Sequence, residues 1–252
     1  MTFLFPEMDK AMISILRMKE YEPSEGYYLA FSGGKDSIVL YDLAVQAEVK
    51  FDAHYNITTA DPPELVKFIR DSYPTVVMDR PERTMWEIIP PKLMPPTRLV
   101  RYCCELLKER GGEGRFVLTG IRWQESQKRK RWNILASCPK AGKMVVNPII
   151  DWTEDEVWAY IKLNDLQYPR LYNEGFNRLG CIGCPMHGAD GQRRDFFRWP
   201  KFRAMYVRSF ERMLTRRKER GLETTWKTGE EVMAWWLMED RPSRSMGRRH
   251  DR

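Results

Sequence analysis

In the first two-thirds of the chain, short apolar runs alternate with segments whose apolar residues recur every three or four positions. Tyr27-Tyr28-Leu29-Ala30-Phe31 is one such run, stopped by Ser32-Gly33-Gly34. Residues 37–47 follow, with Ile38, Leu40, Tyr41 and Leu43 spaced for a helix lying on a sheet. Residues 51–57 predict a second strand, and Pro62-Pro63 opens a second helix through Leu65, Phe68 and Ile69. Residues 75–78 predict a third strand and 116–119 a fourth, which ends at Gly120. Between them, Pro90-Pro91 and Pro95-Pro96 bracket an irregular loop, and residues 101–110 read as helical. Thr153 and Glu156 form a capping box ahead of Val157, Trp158, Tyr160 and Ile161. Further on come a cysteine-bearing loop, a basic-aromatic helical stretch over residues 195–220 and a shorter helix over 230–239.

Strands separated by helices pair in parallel through right-handed crossovers, so the pattern predicts a doubly wound, mostly parallel α/β sheet with a helical, basic C-terminal appendage. Four regions follow: an N-terminal helical segment (1–24), a nucleotide-binding domain (25–190), the appendage (191–240) and a Pro/Ser/Arg-rich tail (241–252) read as disordered. In such sheets ligands bind beyond the carboxyl ends of the strands.

Length and composition narrow the class. With 252 residues, 42% hydrophobic and 12% aromatic, the chain has material for a real core. It lacks an apolar run long enough to span a bilayer, and its start lacks the basic-then-apolar pattern of a signal peptide. A cytoplasmic protein without a membrane partner is expected, and its five cysteines then read as thiols or ligands. Residues 1–189 carry 25 Lys/Arg and 25 Asp/Glu, whereas residues 190–252 carry 17 and 10, so the whole +7 excess sits in the last quarter. That asymmetry points either to a polyanionic partner, nucleic acid foremost, or to a solvated basic helix. Arg212, Arg216, Arg217, Lys218 and Arg220 form the densest stripe, and Lys128-Arg129-Lys130-Arg131 a second patch.

Ser32-Gly33-Gly34-Lys35-Asp36-Ser37 joins the first strand to its helix. Two glycines let backbone amides close around an anion, the helix N-terminus adds partial positive charge, and both serines offer hydroxyl donors. It is no Walker A loop, because Asp36 stands where Ser or Thr would follow the lysine. The loop resembles the PP-loop, SGGxDS, of the adenine nucleotide α-hydrolase-like superfamily. Three further segments resemble the phosphoadenosine phosphosulfate (PAPS) reductase family within it. These are Tyr55-Asn56-Ile57-Thr58-Thr59-Ala60-Asp61-Pro62-Pro63-Glu64, Gly120-Ile121-Arg122 with Glu125-Ser126, and Asn147-Pro148-Ile149-Ile150-Asp151-Trp152 continuing to Leu171-Tyr172-Asn173-Glu174-Gly175-Phe176. The likeness spans residues 25–186. It implies that Ser32, Gly33, Gly34, Asp36 and Ser37 hold phosphate or sulfate, that Thr58 and Gly120 line the site, and that Arg122 contacts an adenine nucleotide. Lys35 would stabilise charge at the reacting group and Asp36 would influence Mg²⁺ if ATP is the ligand.

Cys103-Cys104 and Cys181-Ile182-Gly183-Cys184 supply four sulfurs, a set suited to zinc or to an iron–sulfur cluster. The resemblance favours a [4Fe–4S] cluster over zinc, because adjacent cysteines plus Cys-x-x-Cys are similar to the ligand set of iron–sulfur sulfonucleotide reductases. Cys138 stands apart in a basic neighbourhood, and His187 is a candidate outer group beside the cluster motif. Those reductases also carry a nucleophilic cysteine in a C-terminal Glu-Cys-Gly-like segment, whereas residues 185–252 contain none. The leading expectation is therefore an iron–sulfur PP-loop enzyme that cleaves ATP at the α–β linkage, adenylates an acceptor and lets sulfur displace AMP. Nucleic acid is the preferred acceptor, as in DNA phosphorothioation or RNA thiolation, with a cysteine desulfurase or thioredoxin-like protein as sulfur donor. The alternatives are a PAPS or adenosine 5′-phosphosulfate (APS) reductase using another thiol, Cys138 or a partner's, and a non-catalytic, metal-stapled nucleic-acid-binding subunit.

Overall fold

The computed structural model describes residues 6–138 and 142–238, with side chains from residue 10 onward. The opening five residues, Lys140 beside Cys138, Glu239 and the tail expected over 241–252 lie outside the described residues. Two compact units form, neither a continuous stretch of chain. The first lies within Met1–Ile57, Asp61–Arg80 and Glu109–Gly180, the second within Thr58–Ala60, Pro81–Lys108 and Cys181–Arg252. Residues 81–108 and 181–190, expected with the nucleotide domain, thus pack with the C-terminal helices.

The first unit is the predicted α/β sheet. Its strands are β1 (Tyr27–Ala30), β2 (Phe51–Asn56), β3 (Val77–Asp79), β4 (Phe116–Leu118), β5 (Leu135–Cys138) and β6 (Lys143–Val146), ordered β3-β2-β1-β4-β6-β5. All neighbours pair in parallel except the β5 edge, which runs antiparallel to β6 with Cys138 opposite Lys143. Central β1 is apolar throughout because both of its faces are covered, and Tyr27, Tyr28 and Leu29 are buried. Helix α2 (Lys35–Gln46) lays Ile38, Val39, Leu40, Leu43 and Ala44 on the sheet. Helices α3 (Pro63–Ser72) and α5 (Glu154–Leu163) form as expected, α5 from the Thr153–Glu156 capping box. The third strand starts two residues later than the apolar run suggests, because Pro74-Thr75 turns the chain and Val76 N–H closes onto Tyr73 O at 3.0 Å. Strands β5 and β6 add to the four strands expected from the apolar runs. Helix α1 (Pro6–Glu20) is fastened by Arg17, which grips both Asp151 carboxylate oxygens at 2.7 and 3.2 Å, and by Ser14, which donates to Pro148 O at 3.1 Å. Burial alone would raise the Asp151 carboxyl, but the hydrogen bonds and charge of Arg17 hold it below the usual range.

The second unit is helical, built from α4 (Met85–Lys92), α6 (Gly188–Arg198), α7 (Pro200–Glu219) and α8 (Gly229–Trp236). Helix α4 corrects the irregular loop expected at Pro90-Pro91. Pro90 has no N–H to give Trp86 O four residues earlier, and α7 supplies the missing donors: Ser209 Oγ at 3.0 Å and an Arg212 Nη at 2.6 Å. Arg217 likewise donates to Leu93 O at 2.8 Å, just past the end of α4. The stretch expected as one helix over 195–220 breaks at Trp199-Pro200, since Pro disfavours helical geometry in the residue before it and suits the first turn of α7. The helix expected over 101–110 shrinks to one π-turn, Cys104–Lys108. Phe196, Tyr206, Phe210, Met213 and Trp236 make the core, and Trp236 Nε1 donates to Pro96 O at 2.6 Å. Among the described residues no helix is long and apolar enough to cross a membrane.

Trp236 is 1% exposed and centres this core. Trp236→Ala should cost about 3–5 kcal/mol by urea unfolding, and Trp236→Phe, which keeps the ring and loses the Pro96 bond, a smaller part of that.

Candidate functional site

The loop after β1 takes its shape from Gly33, which has φ +69° and lies against the side chains of Leu65 and Ile69. A Cβ at that position would stand 2.7 Å from Ile69 and 2.9 Å from Leu65, so only glycine fits. The chain then enters α2, whose cap residue Gly34 makes no side-chain capping bond. The first amides of a helix have no intrahelical acceptor, so this end of α2 presents donors and partial positive charge to an anion. Ser32 and Ser37 flank it: Ser32 Oγ donates to Ser37 Oγ at 3.1 Å, and Ser37 Oγ donates to Gly34 O at 2.8 Å.

The exit of β4 meets the same turn. Gly120 passes so close that a Cβ would lie 3.1 Å from the Asp36 carbonyl oxygen. Two residues on, Arg122 Nε donates to Asp36 Oδ1 at 2.6 Å, and its Nη1 donates to Gln124 Oε1 and Trp152 O. Arg122 is 3% exposed, so this ion pair fixes the β4 exit to α2 and spends part of the guanidinium that the sequence assigned to a nucleotide. Lys35 is buried and turns to Asn177 O at 3.2 Å and Glu154 Oε1 at 3.3 Å.

Tyr172, within the segment over residues 171–176, carries no role that its sequence context alone reveals. The Tyr172 hydroxyl accepts from Lys35 N–H at 2.9 Å, where an anion's oxygen would sit on the α2 terminus, and its ring lies 5.5 Å from Lys35 Nζ. Burial, first of all, raises its pKa, so the phenol stays protonated. Among the described residues nothing accepts the hydroxyl's own proton. The only sequence signal was an aromatic in a motif, which gives no direction for its hydroxyl.

Thr58 belongs to the second unit, and there it accepts from the Cys181 thiol at 3.3 Å. All four cysteines of the predicted ligand set come together in that unit. With Met85, Pro96 and Tyr206 among the other walls, Cys103, Cys104, Cys181 and Cys184 line one cavity of about 20 Å³. The Cys-x-x-Cys loop is held from several sides. Gly183 N–H and His187 Nδ1 both meet Asp195 Oδ2, at 2.9 and 2.8 Å, Gln192 donates to Gly183 O at 2.9 Å, and Tyr206 donates to Ile182 O at 3.0 Å. Gly183 has φ +71° and faces the Phe196 ring so closely that a side chain is excluded. The Cys103 thiol is pushed far up, first by its hydrogen bond with Cys104, then by burial and the neighbouring Cys181 and Cys184. As the side chains stand, no group of three or more His, Cys, Asp or Glu among the described residues is arranged to hold a metal ion. Cys138 belongs to the first unit and is exposed on the sheet edge.

The profile of the phosphoadenosine phosphosulfate reductase domain matches residues 26–187, nearly two-thirds of the chain. The chain belongs to the phosphoadenosine phosphosulfate reductase family. Both the PP-loop and the four clustered cysteines fall inside the matched region. Two relatives are adenosine 5′-phosphosulfate reductases. That of Staphylococcus haemolyticus (strain JCSC1435) is 30% identical over 201 residues, covering 73% of this chain and 79% of its own. That of Shouchella clausii (strain KSM-K16) is 27% identical over 208 residues, covering 74% and 82%. In fold, the chain resembles the phosphoadenylyl-sulfate reductase of Candida auris, with a TM-score of 0.51 and 19% identity over 67% of this chain and 87% of that one.

The Asp36–Arg122 pair gives a direct check on how this family member builds its loop. Arg122→Met leaves the Asp36 carboxylate without its cation and should cost about 3 kcal/mol by urea unfolding. Adding Asp36→Asn should recover part of that loss, with a coupling of about 1–3 kcal/mol; strictly additive losses would show that the pair does not tie β4 to α2.

Proposed function

We propose that this chain is a sulfonucleotide reductase that receives its thiol from outside the C-terminal segment. The observation that carries the reading is the family match over the whole PP-loop region, joined to relatives that are adenosine 5′-phosphosulfate reductases. These relatives lift the reading that the sequence alone ranked second.

On this reading the α2 terminus, Ser32, Gly33, Gly34 and Ser37 hold the phosphosulfate, and Tyr172 offers its free proton to the same oxygens. Lys35 compensates charge from beneath the loop, and Asp36 and Arg122 set the loop's shape. A thiolate attacks the sulfur; an S–S bond forms, the sulfur–oxygen bond to phosphate breaks, and the nucleotide (AMP from APS, adenosine 3′,5′-bisphosphate from PAPS) leaves with that electron pair. A second thiol then attacks the sulfur of the first, a disulfide forms and sulfite departs. The two thiols, oxidised to the disulfide, give up the two electrons that reduce the sulfuryl group to sulfite. Cys138, exposed on the sheet edge, and a thioredoxin-like protein are the thiol sources.

Cys103, Cys104, Cys181 and Cys184 would hold a [4Fe–4S] cluster or zinc. The fit is one of donor chemistry, four soft sulfurs on one cavity with the Cys-x-x-Cys loop already pinned. A bound group of either kind would supply positive charge and cross-link two segments far apart in sequence.

A second reading rests on a different observation: residues 185–252 contain no cysteine and hold the chain's whole basic excess. It is an ATP-cleaving sulfurtransferase that adenylates a nucleic-acid acceptor, with Mg²⁺ on the phosphates and the free Asp36 oxygen as its nearest protein ligand.

One assay separates the two. APS or PAPS with thioredoxin and the chain should release sulfite with AMP from APS or adenosine 3′,5′-bisphosphate from PAPS, and Cys138→Ser should abolish release only if that thiol is the nucleophile. Labelled pyrophosphate from ATP with DNA or RNA and a sulfur donor, without sulfite from APS, would replace the first reading by the second. For the cofactor, anaerobic purification should give a coloured protein with about four irons per chain, lost in Cys184→Ser. Stoichiometric zinc in a colourless protein would replace the cluster, and absence of both metals would overturn the ligand assignment.

A further inference from the structure

The basic stripe of α7 is sorted by the fold. Arg217 turns inward, donating to Leu93 O at 2.8 Å and to Glu223 O at 2.7 Å, so it is part of the scaffold. Arg212 keeps one arm on Trp86 O. The side chains of Arg208 and Arg216 make neither a hydrogen bond nor an ion pair among the described residues, and the same holds for the side chain of Arg83 just before α4. Arg208, Arg212 and Arg216 recur every fourth residue, which places them on one face of α7 at steps of roughly 6 Å along the axis.

That face borders two hollows in the second unit that share Arg212. One, of about 690 Å³, runs between α4 and α7 and is lined by Arg83, Arg212 and Arg216 with Thr215, Glu87 and Glu219. The other, of about 540 Å³, is lined by Trp86, Arg208 and Arg212 with Met205 and Glu211. Two of the three carboxylates are engaged with helix starts. Glu87 accepts from Thr84 N–H at 2.7 Å and Thr84 Oγ1 at 2.8 Å, bonds that hold its carboxyl below the usual range. Glu211 accepts from Gly229 N–H, the first residue of α8, at 2.5 Å. Each thus has backbone donors of its own, whereas the arginines have charge to spare. Trp86 is half-buried, its ring edge-on to Tyr206 at 4.9 Å, and it stands at the Arg208 end.

We propose that this α4–α7 groove binds a single strand of nucleic acid. Evenly spaced cations with spare donors along a trough suit the repeating charge of a phosphodiester backbone, and a tryptophan at one end offers a face on which a base stacks. A trough between two helices admits one strand, whereas a duplex presents its phosphates on the outside of a wide cylinder. The inference goes beyond the reaction at the PP-loop and does not rest on it.

The test is fluorescence anisotropy of the full chain, without nucleotide, on labelled DNA and RNA strands of about 16 nucleotides and on the matching duplex. Single strands should bind in preference to duplex, with affinity falling steeply between about 50 and 200 mM salt. Arg208→Gln with Arg216→Gln should weaken binding at least tenfold and flatten the salt slope by about 0.7 for each arginine removed. Trp86→Phe should keep the slope, and Trp86→Leu should weaken binding roughly tenfold at the same slope. Circular dichroism should stay that of the parent chain in the arginine variant, since neither side chain bonds to the fold. Absence of binding at low salt, equal affinity for duplex, or an arginine variant that is folded and binds like the parent would each overturn the proposal. Any of these would leave the sulfite assay, and the reading it tests, standing.

Discussion

The nucleotide half of this protein depends on one contact that cannot be widened: Gly33 against Leu65 and Ile69. Because α3 packs there, the chain leaving β1 must turn with a positive φ, and α2 must begin at once. The open amides of α2 and the two serine hydroxyls are then gathered at one point. Everything else at the site adjusts to that turn. Gly120 lacks a side chain where β4 passes it, Arg122 locks to Asp36, and Tyr172 takes an amide that would otherwise stand bare.

The second unit has a comparable hinge of logic in a missing proton. Pro90 cannot satisfy Trp86 O, and the two donors that do so come from α7. A residue that looks like a helix breaker in sequence thereby becomes the reason two helices dock. It also explains why a run of arginines on α7 is not uniform in role: some complete the backbone of α4, and others are left facing the hollow. The cysteines sit beside this docking. Their loop is held by Asp195, Gln192 and Tyr206, all from the helices that the sequence treated as an appendage.

Much of the site was legible because its chemistry is local. The PP-loop is six consecutive residues, and its glycines, serines and lysine form a recognisable motif without knowledge of anything distant. The Cys-x-x-Cys pair and the Thr153 capping box are local in the same way. The parallel sheet was legible from apolar runs alternating with amphipathic segments, since each pattern follows from the period of its element. What was not legible depends on partners remote in the chain. The part of Tyr172 depends on Lys35, 137 residues away, and the committed half of Arg122 depends on Asp36, 86 residues away. Strands β5 and β6 are short and half-buried, so their faces lack the contrast that sets a buried strand apart.

The sequence by itself determined the family and the α/β class, and it marked the glycine-rich turn ahead of α2 and the four cysteines, because each is written in neighbouring residues whose types leave little choice. Only the tertiary structure decided which unit each belongs to. It moved the cysteines and residues 81–108 into the helical unit, placed Thr58 with Cys181 there, and divided the arginines of α7 between scaffold and groove. The physical reason is the same in every case. A carbonyl without a donor, a glycine without room and a carboxylate without a cation are each satisfied by whatever the fold brings near, and sequence separation says nothing about what that is.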